Sequence, residues 1–318
     1  IGGQTLNPYG RKKIDSGGSS SGSGVAISAN FSTVSLGSET SGSILSPSSA
    51  NSIVGLKPTI GLVSRSGIVP ISSTLDTSGP MTKNVIDTAI VLNAISGYDP
   101  NDPLSVTSNP IDIGSVINST IEGKKFGIFE AFLEDSLYNN SIKKIEKLGG
   151  KIIEFDPPKI NFNGFRKILD YDMKIDLPAY FSKNNIDFNN IEDIVKYNLL
   201  DSINRSPYGQ EIFESIVESN IKYDEIDLIK KRIKSEAKKY FNTAIKKYEL
   251  DVILSINNYH AAYAAGGYFP CLTVPMGYDK NGKPYGLTFI SEPFSENKLL
   301  QMGYTFEKET KLRVIPFN

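Results

Sequence analysis

One cysteine, one histidine and no tryptophan occur in 318 residues. With Cys271 alone the chain forms no internal disulfide and builds no cysteine-based zinc site. With His260 alone it holds no metal centre made of several imidazoles, and a Ser-His-Asp hydrolase would have to run through that one ring. No apolar run approaches the roughly 18 residues of a membrane span, and no basic segment followed by an apolar one reads as a signal peptide. Neither sign of charge dominates. The chain has 34 basic and 35 acidic side chains, a net charge of −1, so nothing in the balance names nucleic acid or another polyanion as a partner. These shortages are compatible with a reducing compartment, and the expectation is a cytoplasmic protein without nucleic-acid or membrane partners.

What is present is unevenly spread. Residues 1–120 carry only 13 charged side chains and are rich in Gly, Ser, Val and Ile instead, a composition of tight turns and buried strands. The patterns predict a short helix over Ser23–Asn30, a strand over Thr33–Leu36, turn chemistry through "GSETSGSILSPSS" and a buried helix over Lys83–Ile95. Strands at Lys125–Phe129 and Lys151–Phe155 flank an amphipathic helix over Ser136–Leu148, stopped by Gly149 and Gly150. Residues 164–221 read as helical with breaks near Pro178 and Pro207, and Tyr223–Tyr248 gives the clearest helical periodicity. Its lysine-rich face is read as solvated surface. Short apolar runs at Val252–Ile256, Leu272–Val274 and Leu287–Ile290 return to strand, with a tight turn at Asn281–Gly282. Ser295 is placed to cap a final helix that turns Leu299, Met302 and Phe306 inward. The order predicts an α/β fold with a mixed central sheet and helices on both faces, in one domain over 1–318: a core at 1–120, a helical middle at 121–250, and closing strands and helix at 251–318.

The stretch "SGGSSSGSG", residues 16–24, admits three readings. As a flexible spacer it would separate elements, yet it leads straight into the apolar "VAISANFSTVSL". As a phosphate loop it lacks the lysine of G-x-x-x-x-G-K-[ST], and a dinucleotide fingerprint from Gly22 would need glycine where Ile27 stands. The third reading is a loop holding reactive hydroxyls. Ser19 and Ser43 are glycine-flanked and 24 residues apart, with a helix and a strand between them that can fold back on each other. The turn "ETSG" before Ser43 can aim successive amide N–H groups at one point, as an oxyanion requires.

The run from "GGSSSGSGVAIS" through "GSETSGSILSP" and "GLKPTIGLVSRSG" to "STLDTSGPM" resembles the amidase signature family of serine hydrolases, motif by motif and in order. The tail "GYFPCLTVPMGYDKNGKPYGLTFISEPF" is similar to that family's closing strands; residues 120–250 agree in pattern only. The resemblance implies the amidase signature fold and hydrolysis of a carbon–nitrogen amide bond by a Ser–Ser–Lys triad, with no metal or organic cofactor. It makes Ser43 the nucleophile and Ser19 the bridging serine, hydrogen-bonded to it, after a cis Gly18–Ser19 peptide. The N–H groups of Thr40, Ser41, Gly42 and Ser43 become the oxyanion hole, and Glu39 shapes the turn. A serine hydroxyl needs a base to take its proton, and a lysine kept neutral by burial is that base in the family.

The family's lysine lies several tens of residues upstream of the Gly-Gly-Ser-Ser run, where this sequence has only 18 residues before Ser19. Lys12 and Lys13 are too close, and Lys57 belongs to a different segment. The triad's base is therefore expected to be absent from this chain. It reads as a fragment of an amidase opening at Ile1, as a chain that receives its base from another, or as a protein that has lost activity. The substrate expected is a small-molecule or peptide amide, with self-association as a homo-oligomer through apolar surface left uncovered. "SGSILSP" looks closest to stand-alone peptide-amidase-type members. The transamidating members that act on glutaminyl-tRNA partners usually carry arginine where Leu45 stands, which ranks a protein like that glutamyl-tRNA amidotransferase component second. A noncatalytic amidase-like scaffold is the rival from another class.

Other residues have plainer readings. His260 is expected as a packed or pocket-lining ring rather than a base, and Cys271 as an inert core thiol. Ser20 and Ser21 are expected to bond local backbone, and Arg65 and Asp76 to act as an ion pair or loop anchor. Tyr259, Tyr263, Tyr268 and Phe269 are read as aromatic core that could also line an acyl pocket.

Overall fold

A computed structural model describes residues 3–316; residues 1–2 and 317–318, which the single-domain reading included, lie outside the described residues. Eight strands form one mixed sheet: β1 Val34–Glu39, β2 Val54–Lys57, β3 Thr77–Thr82, β4 Lys125–Phe129, β5 Lys151–Phe155, β6 Val252–Ile256, β7 Cys271–Tyr278 and β8 Pro284–Ile290, in the spatial order β1-β3-β2-β7-β8-β6-β4-β5. Parallel pairing is confined to β4 with β5 and with β6; the other neighbours are antiparallel. Twelve helices are described: α1 Ser21–Ser28, α2 Leu45–Ala50, α3 Val85–Ile95, α4 Ile113–Ile117, α5 Ser136–Lys147, α6 Phe165–Lys183, α7 Ile191–Leu199, α8 Ser202–Arg205, α9 Glu211–Glu218, α10 Tyr223–Tyr248, α11 Ala261–Gly267 and α12 Glu296–Thr310.

The alternation of strand side chains puts helices on both faces. On β6, Val252 and Leu254 enter one buried cluster with Ala89 of α3, Ile145 of α5 and Phe306 of α12, while Ile253 enters another with Leu45 of α2, Phe241 of α10 and Ala264 of α11. Leu272 and Val274 of β7 likewise point one way and Cys271 the other. In α10 the buried stripe Ile226, Ile229, Ile233, Ala237, Phe241, Ala244 and Ile245 follows the helical repeat. Each large member of that stripe contributes about 1.5–3 kcal/mol by leaving water. Asp224 and Glu225 in its first turn and Lys246 and Lys247 in its last complement the helix dipole.

Three local expectations need correction. Pro178 does not break its segment: α6 runs through it, because Leu177 and Phe181 are buried in a cluster with Ile191 and Ile216 that outweighs one lost N–H bond. The break near Pro207 is real, between α8 and α9. "LSPSS" is helical, not turn, while Ser43 and Ile44 before it are turn as expected, and "LDTSGPMT" contains strand β3. Ser295 does precede α12, but its hydroxyl makes no capping bond; Glu296 instead accepts the Thr59 N–H at 2.7 Å. The turn at Asn281–Gly282 is in place, with the Asp279 carboxylate accepting the N–H groups of Asn281 and Lys283.

Candidate functional site

Strand β1 delivers the chain into the turn 40–43, and β3 beside it brings Asp76 alongside. Glu39 pairs with Thr77 across the two strands. The Thr40 hydroxyl donates to Asp76 Oδ1 at 2.5 Å, and Asp76 Oδ2 accepts the N–H groups of Ile71 and Ser72 at 2.8 and 2.9 Å. Asp76 is thus a loop anchor with no ion-pair partner among the described residues. Gly42 sits at φ +122°, a region L side chains avoid, and a Cβ there would lie 3.1 Å from the Asn258 side chain. The turn is closed from below by Glu39, whose Oε2 accepts the N–H groups of Ile44 and Leu45 at 2.7 and 2.9 Å, at the start of α2.

The glycine-serine segment is docked on this turn. Gly17 is at φ +66°, and a Cβ there would lie 2.7 Å from the backbone of Pro47 in α2, so only glycine fits. The Ser20 N–H donates to the Ser43 carbonyl at 3.2 Å, joining the two serine-bearing loops through their backbones. The Gly18–Ser19 peptide is cis. The Ser20 hydroxyl bonds the N–H and carbonyl of Ser38, and the Ser21 hydroxyl donates to the Gly17 carbonyl, so both serve the local backbone as expected. Ser19 is exposed and Ser43 half-buried. Their hydroxyls are not hydrogen-bonded to each other, unlike the pair the resemblance implies, and among the described residues no lysine amine or imidazole bonds either of them. A hydroxyl with no fixed partner is free to rotate toward water.

No bond among the described residues occupies the N–H groups of Thr40, Ser41 and Ser43; the Gly42 N–H leans toward the Glu39 carboxyl without reaching hydrogen-bonding geometry. The arrangement places unpaired donors beside a serine hydroxyl, which is what charge developing on a carbonyl oxygen needs.

Beneath the turn lies a buried polar layer. Glu39 is 1% exposed, and its Oε1 has no hydrogen-bond partner among the described residues. Burial pushes its carboxyl above the ordinary range, opposed by Lys57 and the backbone donors. Lys57 is wholly buried and donates to the Pro58 carbonyl at 3.2 Å. Cys271 pairs with it across β2 and β7, and burial pushes that thiol up to about 12, an inert core group.

His260 bonds neither Ser19 nor Ser43. Its Nδ1 bonds the Ser255 hydroxyl at 2.7 Å, its Nε2 bonds the Tyr240 hydroxyl at 3.1 Å, and its ring stacks on Phe129 at 4.1 Å. Burial lowers its pKa from 6.5 to about 3. As pH falls, the unfolded chain takes up this proton first, so stability is lost between pH 6.5 and 3. Urea unfolding is expected to register ~2 kcal/mol more loss from pH 6.5 to about pH 5 in the wild type than in His260→Gln; equal losses would contradict the buried neutral ring. Of the aromatic residues, Phe269 is core, Tyr263 stacks on Tyr240, Tyr268 packs with the cluster around Ile233, and Tyr259 is exposed against Phe132.

Arg65 forms an ion pair, but its partner is Asp102, which accepts the Arg65 Nε at 2.9 Å and also its Nη2. These two residues and Asp76 line a cavity of about 370 Å³ with Asp176 and Tyr180 of α6. Sequence reasoning missed Asp102, Asn258 and the Thr40–Asp76 bond. The repeated Asp-Pro pattern of "DPNDP" and the paired asparagines of "NNYH" were the available signals.

The sequence model of the Amidase family matches residues 1–269. A probable amidase of Arabidopsis thaliana is 34% identical over 98% of this chain, and the chain spans 64% of that relative's length. A glutamyl-tRNA(Gln) amidotransferase polypeptide of Ruminiclostridium cellulolyticum is 32% identical over 96% of the chain and 69% of its own. The crystal structure of native peptide amidase from Stenotrophomonas maltophilia superposes with a TM-score of 0.89 at 31% identity, covering 99% of this chain and 70% of that one.

Proposed function

The chain belongs to the amidase family, and from that premise we propose that its site cleaves a carbon–nitrogen amide bond through an acyl-enzyme on Ser43. The observation that carries this reading is the turn 40–43. Unpaired N–H groups stand beside a half-buried hydroxyl, on a loop joined to the Ser19 segment by the Ser20–Ser43 backbone bond. In the proposed reaction the Ser43 Oγ attacks the carbonyl carbon, and its proton passes to the Ser19 oxygen as the Ser19 proton moves on to the neutral amine that serves as base. The oxyanion is received by the N–H groups of Thr40, Ser41 and Ser43, with Gly42 keeping the turn open. Collapse breaks the C–N bond, the nitrogen leaves as ammonia or an amine carrying the relayed proton, and water then releases the carboxylate. The exposed Ser19 hydroxyl is the point where a neutral lysine amine, the base that the family resemblance implies, would have to arrive.

The cavity beside Asp76 adjoins the turn through the Asp76–Thr40 bond and supports approach of a small-molecule or peptide amide from that side. One domain accounts for the single sheet, which draws strands from the first, middle and last parts of the chain. Exposed Val34 and Leu36 on edge strand β1, with Phe31 near them in sequence, support self-association through that edge. No helix among the described residues is long and apolar enough to cross a membrane.

A second reading, a component of a glutamyl-tRNA amidotransferase, is favoured by the Ruminiclostridium relative. Against it stands Leu45, buried in the cluster that holds Phe269 and Ile290, where such components would carry arginine. The test is ammonia release from small carboxamides and peptide amides, with and without an added alkylamine able to serve as base at Ser19. Release without any tRNA or partner chain supports the first reading; none under either condition overturns it.

A further inference from the structure

The cavity beside the turn 40–43 is lined by charges that do not cancel. Its volume of about 370 Å³ lies in the range of small-ligand pockets. The loop carrying Arg65, Ser73 and Asp76 forms one side and helix α6 another. Of the carboxylates in and around it, Asp102 is held by the Arg65 guanidinium. Asp76 accepts the Thr40 hydroxyl and the N–H groups of Ile71 and Ser72. Asp172, one turn before Asp176 on α6, accepts the Ser72 hydroxyl and pairs with Lys230 of α10.

Asp176 is the carboxylate left over. Its Oδ2 accepts the Ser73 N–H at 2.6 Å, in a bond that is itself exposed to solvent. Both partners line the cavity, so the carboxylate stands on the cavity side and is open to it. Among the described residues no lysine or arginine forms an ion pair with it. Lys183, which also lines the cavity, lies two turns farther along α6 and is exposed. Burial pushes the Asp176 carboxyl above the ordinary range and the Asp172 charge adds to this, while Ser73 and Lys230 oppose it. A cation arriving beside it would favour its charged form. Tyr180, one turn on, adds an aromatic wall of the kind that attracts organic cations. The described residues hold no group of three acidic, His or Cys side chains arranged for a metal ion, so the cation that suits a single carboxylate and a ring is an organic one.

We propose that this cavity is the subsite for a cationic side chain of the amide substrate, an ammonium or guanidinium on a flexible stem, with Asp176 as its counter-ion. The inference rests on the reading of Ser43 as nucleophile and narrows its substrate class to amides that carry a positive charge a few carbons from the scissile carbonyl. Asp76 joins the cavity to the reacting turn, because it lines the one and bonds Thr40 of the other. A lysine side chain, a compact charge on a four-carbon stem, has the form this requires.

Calorimetric titration with N-acetyl-lysinamide and N-acetyl-norleucinamide, which differ by the terminal ammonium, tests this. No alkylamine is added, because its ammonium form would compete for Asp176, and the measurement does not depend on turnover. The lysine amide is expected to bind about ten-fold more tightly, with the gap shrinking at high salt. Asp176→Asn, which keeps an acceptor for the Ser73 N–H, is expected to close the gap by weakening the lysine amide, and Asp176→Lys to reverse it. Equal affinities in the wild type, or an undiminished gap in Asp176→Asn, would overturn the proposal. Fluorophosphonate labelling ties the cavity to the reaction: the lysine amide is expected to slow labelling of Ser43 at about a tenth of the concentration the norleucine amide needs. Equal protection by the two would also overturn it. A chain whose Ser43 takes no label under any condition fails the nucleophile reading alone, and the calorimetric gap still decides whether Asp176 binds the cation.

Discussion

With an added alkylamine supplying the base that this chain is expected to lack, Ser43→Ala is expected to abolish amide cleavage above the amine-only background, a loss of up to about 10⁴- to 10⁶-fold where nucleophile and base act as a unit. The loss should fall on kcat, because no hydroxyl remains to accept the acyl group while the surrounding N–H donors stay in place. Stability should hardly move. The Ser43 side chain is half-buried, its hydroxyl bonds nothing among the described residues, and the turn is fixed by Glu39, Asp76 and the Ser20–Ser43 backbone bond. A change within about 0.5 kcal/mol in urea unfolding is expected for such a site. Rates and unfolding curves measured on one preparation separate the two effects, and a variant that keeps a tenth of the rate would remove Ser43 from the chemistry.

Glu39→Ala carries the largest expected cost in stability. The substitution leaves the N–H groups of Ile44 and Leu45 buried without an acceptor, and each such loss costs about 1–3 kcal/mol. It also strips the opposing charge from the neighbourhood of Lys57, which is wholly buried. A loss of about 2–6 kcal/mol is therefore expected by chemical denaturation, together with loss of activity, since the turn that holds Ser43 is capped from this residue. Glu39→Gln keeps one carbonyl acceptor for the two N–H groups and should recover part of both. If Glu39→Ala were as stable as the wild type, the carboxyl would not be what holds the turn.

The elements that can be read from the sequence are those whose pattern is local. Strands β4, β5 and β6 and helix α10 lie where alternation and helical repeat put them, because each presents a contiguous apolar face to its neighbours. Strand β3 went unpredicted because it contains Gly79 and Pro80, residues depleted in strands. Gly79 is required there, since a Cβ would lie 2.0 Å from the Leu56 carbonyl oxygen on the neighbouring strand. Helix α2 was hidden for a related reason. Pro47 sits early enough in it to be tolerated, and the cap comes from Glu39 upstream rather than from a residue at the helix start. Pro178 misled in the opposite direction, because the packing that keeps α6 continuous is contributed by α7 and α9.

The same division holds at the site. The glycine-serine run and the "ETSG" turn carry their chemistry in adjacent residues, and the backbones that hold Ser19 and Ser43 do meet. The supports come from farther off. Asp76 reaches Thr40 across 36 positions and Asp102 reaches Arg65 across 37, contacts that only the folded sheet and its loops create. His260 offered the only imidazole in the sequence, and aromatic packing rather than any motif removes it from the reaction.

The central claim is that Ser43 is the atom acylated. Reaction with a fluorophosphonate followed by peptide mapping in a mass spectrometer tests it most directly. The account predicts a single adduct on Ser43, absent from Ser43→Ala. An adduct on another serine with Ser43 unmodified, or equal labelling of the alanine variant, would contradict it.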